Sequence, residues 1–404
     1  MNEKKNNNKK SKKIKKPNPF LYYPICLIVM PFFKLYLKTK YDRNAIKHLK
    51  GPALIVCPHI SNIDFILVAF ALFPKRPTFV VSEHFMIKPK IKWFLEKMAV
   101  IPKKMYCADI RTILTIMRAK EQNHIIVLFP EGRLTCFGHS VNLTEGTAEL
   151  VKKLGIDVYT ITGNGAYLTM PKWDTHKFRP GGINVETAKL LEKDRLKDMS
   201  VDEINTILEQ AILHDEDHAM EGVFYRCSEP ASGLDGILYR CPKCGAEFQM
   251  ETSGDSIKCR VCSFTSRLDP YYRLHGGPFE TINDWYFWQQ DQIDLGIPLE
   301  SDTIVAAVGA DGYIDRNAGK GHIRMDREQI YFSGEVFGRP LEFSESTSAV
   351  KAFPASVGSH FDIYHKKVLY NMHLRPDPRT IIKWVCYLDK LNHNVPTPDI
   401  KTEI

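Results

Sequence analysis

The chain has 404 residues, 44% apolar and 25% charged, with a net charge of +8, an ordinary globular composition long enough for two to three domains. Residues 1–16 hold eight lysines and one glutamate, so +7 of the charge sits there and only +1 in everything that follows. A body this close to neutral indicates no broad nucleic-acid-binding surface, and no nucleic-acid partner is expected, with binding through a small Cys-rich module as the alternative.

In chain order, residues 1–16 form a basic, disordered tail. Such a run is either a solvated arm or one drawn to an anionic membrane surface, where each lysine contributes about 1 kcal/mol. The next stretch, Pro17–Phe33, carries no charged residue and is interrupted by Pro24 and Pro31. It is shorter than the ~20 residues of a full span, and no small-residue cleavage site follows. Residues 17–42 therefore predict a membrane-associating helical segment dipping into one leaflet. The alternative is a buried core helix.

Residues 43–220 alternate short apolar runs with helical patterns. The runs are Ala53–Cys57, Thr78–Val81, Ile125–Phe129 and Val158–Thr162. The helices are Ile63–Phe73, Ile91–Lys97, Ile110–Lys120, Thr147–Leu154 and Val201–Leu213, the last opened by a Ser200/Glu203 capping box. This alternation predicts an α/β fold, a mostly parallel sheet covered by helices. Residues 239–265 are a small Cys-rich module. Residues 300–392 carry recurrent short strands and a closing helix, Pro378–Leu391, an α+β pattern.

Two constellations carry chemistry. Ala53–Asp64 is a buried-strand pattern that turns polar, placing His59 at a strand end and Asp64 in the first turn of a helix, with Ser61 and Asn62 as N-cap types. A histidine takes a proton near neutral pH, and a carboxylate beside it fixes its tautomer. The bland alternative is a loop histidine and a capping aspartate. Phe129–Thr135 reads Phe-Pro-Glu-Gly-Arg-Leu-Thr. There Gly132 allows close backbone approach, Arg133 offers a fork suited to phosphate, and Glu131 either holds Arg133 or meets a substrate hydroxyl. Its alternative is an ordinary turn with a surface ion pair.

Taken together, the two blocks resemble the glycerophospholipid acyltransferase family, whose best-known members are the 1-acylglycerol-3-phosphate acyltransferases. The resemblance covers roughly residues 20–215. Met98–Lys104 fits a third element of that family, with Lys where Arg is usual. Val158–Ile161 fits a fourth, with Thr160 where proline is usual.

The resemblance implies that His59 is the general base, oriented by Asp64. It implies that Lys103, Lys104 and Arg133 bind the acceptor's phosphate, and that Glu131, Gly132 and Thr135 shape the acceptor pocket. The implied partners are a lysophospholipid acceptor and an acyl-ACP or acyl-CoA donor. The implied product is phosphatidic acid, formed on the cytoplasmic face of the cell membrane without a catalytic cofactor. Val80–Glu83 lacks the basic residue common there, and Arg133-Leu134 replaces the frequent Thr-Arg. Another lysophospholipid headgroup is therefore the first alternative, and a non-catalytic lipid-binding or scaffold protein the second.

Cys241-x-x-Cys244 and Cys259-x-x-Cys262, fourteen residues apart, have the spacing of a four-cysteine zinc ribbon. A redox dithiol or a disulfide pair is the alternative. With no open coordination position implied, the zinc reads as structural. Cys227 is not expected to be a ligand. The other cysteines are scattered, and with no secretion signal they read as reduced cytosolic thiols. Residues 300–392 resemble a PH- or GRAM-type domain in topology alone, which implies headgroup or protein binding. The alternative is a stabilising appendage. Trp285–Trp288 reads as inter-domain core.

Overall fold

The structure, a computed structural model, describes residues 13–105, 109–174, 178–309, 313–366 and 368–393. Most of the basic tail and Cys107 lie outside the described residues. The chain opens on helix α1 (Pro19–Pro31), which passes into a π-helical turn, Phe32–Tyr36. One side of this segment buries Tyr22, Cys26 and Phe33, while Phe20, Ile28 and Leu35 stand 90%, 76% and 76% exposed. The Tyr22 hydroxyl reaches the carbonyls of Ala69 and Lys75 at 3.1 and 3.0 Å, which fixes the inner face to the body. By length and composition alone, Pro19–Tyr36 is apolar enough to cross a membrane.

A seven-stranded sheet follows: β1 (Thr39–Tyr41), β2 (Ala53–Val56), β3 (Thr78–Ser82), β4 (Ile101–Lys103), β5 (Ile125–Leu128), β6 (Val158–Asn164) and β7 (Ile183–Leu191). Its order is β1-β7-β6-β2-β5-β3-β4. Every neighbouring pair is parallel except β6–β7. The central strands are apolar throughout because helices cover both faces. Alternation along β2 divides the two cores. Ala53 and Ile55 pack with α1 and α2 (Asp64–Leu72). Leu54 and Val56 pack with α4 (Ile110–Glu121), α5 (Thr147–Leu154) and α7 (Val201–Ile212). Two shorter helices, α3 (Pro89–Lys97) and α6 (Ala166–Thr169), and the turn α8 (Glu216–Ala219) complete this half. The capping box at Ser200/Glu203 forms, and Gly155 ends α5 in the left-handed region.

The Cys-rich module is a four-stranded antiparallel sheet: β8 (Met250–Ser253), β9 (Ser256–Cys259), β10 (Thr265–Leu268) and β11 (Leu274–His275). It therefore runs ten residues past the boundary read from the cysteines. Helix α9 (Ile282–Asp291) leads to a seven-stranded antiparallel sheet. Its strands are β12 (Leu299–Val308), β13 (Ile314–Met325), β14 (Gln329–Val336), β15 (Arg339–Ser346), β16 (Ala355–Ser356), β17 (His360–His365) and β18 (Val368–Arg375). They lie in the order β15-β14-β13-β12-β18-β17-β16. After a short helix α10 (Thr347–Val350) between β15 and β16, the closing helix is α11 (Ile381–Leu391), preceded by one 3-10 turn from Pro378. The sequence pattern locates only the last third of β13, because its first half is polar and glycine-rich. Those glycines let two strands cross closely: a Cβ on Gly319 would meet the Glu335 carbonyl oxygen at 2.0 Å.

The strand-rich half does not hang from the sheet as a separate bead. Its core is continuous with Ile60, Phe137 and Tyr167 of the first half. Phe137 stacks on Tyr286 with centroids 4.0 Å apart, and Trp285, Tyr286 and Phe287 are buried. The aromatic run before the last domain is inter-domain core.

Candidate active site

In the sheet, β6, β2, β5, β3 and β4 run in one direction, so their C-terminal ends share an edge. Open α/β sheets place ligands at such an edge. His59 follows β2, and the Phe129–Thr135 loop follows β5, its immediate neighbour.

The dyad is built from the backbone outward. His59 Nδ1 lies 3.1 Å from Asp64 Oδ2, and that oxygen also accepts the Ser61 N–H at 2.8 Å. Asp64, an acceptor, selects the Nδ1–H tautomer and leaves Nε2 as the basic nitrogen. The imidazole rests on the Phe129 ring at 4.6 Å. Its side chain is 28% exposed, against 6% for Asp64, so the imidazole is reachable and its partner is not. Burial pushes the Asp64 carboxyl up, and the His59 and Ser61 hydrogen bonds oppose this. Ser61 and Asn62 do not cap α2. The helix begins at Asp64, whose carboxylate bends back to the preceding loop. The Ser61 hydroxyl is drawn instead to the Ala166 carbonyl at 3.0 Å.

Glu131 is engaged through both carboxylate oxygens. One carboxylate oxygen accepts the His59 backbone N–H at 2.6 Å and the other accepts Val141 N–H at 2.9 Å. Glu131 thus pins the His59 loop to the loop after β5. Burial pushes its carboxyl up to about 7 against these two hydrogen bonds. Gly132 sits at φ +72, and a Cβ there would meet Thr144 Cγ2 at 2.8 Å, so the turn demands glycine. Thr135 is buried, and its hydroxyl lies 3.4 Å from the Phe137 N–H.

The basic residues do not all converge on His59. Arg133 is buried and paired with Asp389 of α11 at 2.7 Å. Lys103 ends β4 and Lys104 follows it, three strands across the edge from β2. At 4.7–4.9 Å per strand this is about 14 Å. There they line a cleft against the last domain.

Two supports were not legible. Glu216, fully buried, accepts the Tyr167 N–H at 2.9 Å and pairs with His214 Nε2, holding the segment whose Ala166 carbonyl binds Ser61. The polar cluster His214–His218 between apolar stretches was the signal available for it. Asp389 carries no signal in sequence at all.

Residues 37–163 match the Acyltransferase family model. The chain contains an acyltransferase-family domain. That domain holds His59, Asp64 and the Phe129–Thr135 loop. Among solved structures, the chain is similar to the 1-acyl-sn-glycerophosphate (LPA) acyltransferase PlsC from Thermotoga maritima. That match has 15% identity and a TM-score of 0.38, covering 50% of this chain and 83% of that one.

A second constellation lies apart from the edge. The sulfurs of Cys241, Cys244, Cys259 and Cys262 all lie within 4.8 Å of one another, with Cys241–Cys262 at 3.6 Å and Cys244–Cys259 at 3.8 Å. Tetrahedral Zn–S bonds of about 2.3 Å place sulfurs ~3.8 Å apart, so the four thiols fit zinc. Backbone N–H groups of Ala246 and Phe264 point at Cys244 and Cys262. Cys227 is outside the cluster, and the described cysteines are free of disulfides.

Proposed function

We propose that this chain is a glycerophospholipid acyltransferase. It transfers a fatty acyl group from an acyl-ACP or acyl-CoA thioester to the free glycerol hydroxyl of 1-acylglycerol 3-phosphate. The observation that carries the proposal is the Asp64-anchored His59 beside Glu131, in a segment that matches an acyltransferase family. His59 Nε2 takes the hydroxyl proton as the oxygen attacks the thioester carbonyl. The tetrahedral adduct expels the thiolate, which recovers the proton from the imidazolium, whose charge Asp64 stabilises. No acyl-enzyme is formed.

Glu131, Gly132 and Thr135 support this site by shaping the loop beside His59. Arg133 acts as a loop anchor through Asp389, and Lys103 and Lys104 are the phosphate-recognising cations. The loss of Arg133 from that task favours a second reading, in which the acceptor carries another headgroup. The exposed apolar side of α1 enters one leaflet of the membrane, with the site on the cytoplasmic face where the thioester donors are found. The four cysteines hold a structural zinc that folds the small module, and residues 300–392 form a PH/GRAM-like domain.

The test is thioester turnover by vesicle-reconstituted protein, with and without acceptor. Turnover dependent on 1-acylglycerol 3-phosphate and lost in His59→Ala is expected. Unchanged turnover in that variant removes His59 from the mechanism.

A further inference from the structure

Among the described α-helices of the first half, α3 alone buries none of its residues. Its inner stripe, Ile91, Phe94, Leu95 and the C-capping Met98, has helical spacing. Yet all four are only partly buried, and Met98 alone packs against a hydrophobic core. The outer side carries Lys90, Trp93 and Lys97 at i, i+3 and i+7, and all three are exposed, Trp93 at 56%. Phe85, in the turn before the helix, is 51% exposed. Residues 83–97 set Lys88, Lys90, Lys92 and Lys97 against Glu83 and Glu96. None of these lysines is ion-paired among the described residues, and both glutamates are exposed. The end of α3 abuts the start of α1, where the N–H of the capping Asn18 donates to the Lys97 carbonyl at 2.9 Å. Phe20, two residues further on, is 90% exposed. The apolar side of α1 has no cation of its own before Lys34, so α3 supplies the positive charge at that end.

We propose that α3 is an interfacial helix that docks the chain on anionic phospholipid, with Trp93 entering the headgroup region between Lys90 and Lys97. An indole sits at headgroup level because its body is apolar and its N–H is polar. Each flanking lysine is drawn to anionic lipid while its stem covers apolar ground. Continuity with the exposed apolar side of α1 favours a membrane over an acidic protein as the occupant. The two helices then divide the work: α1 offers apolar area to any bilayer, and α3 adds a contact that selects for negative charge. The first turn of α3 follows β3, whose C-terminal end lies on the His59 edge, two strands from β2. Contact along α3 therefore seats that edge against the membrane that carries the acceptor. This last step rests on the acyltransferase reading above, whereas the lipid contact stands without it.

The test uses the full chain with vesicles of phosphatidylcholine, alone or mixed with phosphatidylglycerol. In co-sedimentation, Lys90→Gln/Lys97→Gln is expected to bind the mixed vesicles about tenfold or more weakly than wild type, and the neutral ones equally. Tryptophan emission is expected to shift to the blue when wild type meets mixed vesicles, and Trp93→Phe to lose most of that shift. The substituted side chains are exposed, so melting temperatures should match wild type. Unchanged binding by the lysine variant, or an emission shift retained in Trp93→Phe, overturns the proposal. An equal loss on both kinds of vesicle overturns the selectivity for anionic lipid. Unchanged vesicle binding with weaker capture of an acyl carrier protein overturns it in favour of an acidic protein partner. These readouts need no turnover, so a chain that shows them without transferring acyl groups separates failure of the acyltransferase reading from failure of α3. Ile28→Glu, expected to weaken binding to both kinds of vesicle, separates the contribution of α1.

Discussion

Arg133 and Asp389 stand 256 positions apart in the chain and meet as a buried ion pair at 2.7 Å. Their side chains are 5% and 1% exposed. The loop beside His59 is thereby tied to the last helix. Removing one partner strands a buried charge, which costs about 3–5 kcal/mol. Asp389→Ala is expected to lower stability by that amount in denaturant titrations. The pair Arg133→Met/Asp389→Leu is expected to recover most of it and to retain turnover. A double variant as damaged as the single one indicates that the guanidinium has a further role, with phosphate recognition the first candidate.

The dyad predicts a split between tautomer and base. His59→Ala removes the proton acceptor, and turnover is expected to fall by at least ~10²-fold, the low end for general-base catalysis. Asp64→Asn keeps the shape but presents an amide to both His59 Nδ1 and the Ser61 N–H. It is expected to lose turnover comparably, with acceptor binding retained. Steady-state kinetics and equilibrium acceptor binding on the two variants provide the check.

Glu131 gives a pH signature. Its folded-state pKa is pushed up to about 7 from 4.5. The folded protein therefore holds a proton that the unfolded chain releases. The associated stability is present below about pH 4.5 and is lost as pH rises through 7, up to about 3 kcal/mol. Glu131→Gln removes this titration. The difference in melting temperature between wild type and variant should change across that window and be flat above it. Because the amide NH₂ opposes one of the two backbone N–H donors, the variant should also lose about 1–3 kcal/mol at all pH values.

The cysteine cluster predicts one zinc per chain by elemental analysis. A strong chelator, or Cys259→Ser, is expected to unfold residues 239–275. Because this module shares a core with α9 and the last domain, the melting temperature of the whole second half should fall with it. Metal-free protein with an unchanged melting curve overturns the structural assignment.

The outer face of α1 predicts where the membrane is felt. Ile28→Glu and Leu35→Glu touch residues 76% exposed, so folding should be unchanged while co-sedimentation with anionic vesicles falls. Retained vesicle binding in the double variant excludes α1 as the anchor.

What the sequence by itself determined is local. Apolar runs such as Ala53–Val56 and Ile125–Leu128 specify strands buried on both faces. The Ser200/Glu203 box and Gly155 mark helix ends, and the cysteine spacing specifies a four-sulfur cluster. Period, caps and short spacings are written within a few residues of one another, so no folding is needed to read them. His59 and Asp64 were legible for the same reason. Tertiary structure decided everything that depends on chain meeting chain. It turned Glu131 toward two backbone N–H groups, gave Arg133 a partner on α11, put Glu216 behind Ser61, and set Lys103 and Lys104 against Lys366. A charged side chain's partner is chosen by burial and by which opposite charge shares its buried space. Those are properties of the packed core, and residue type alone carries no record of them.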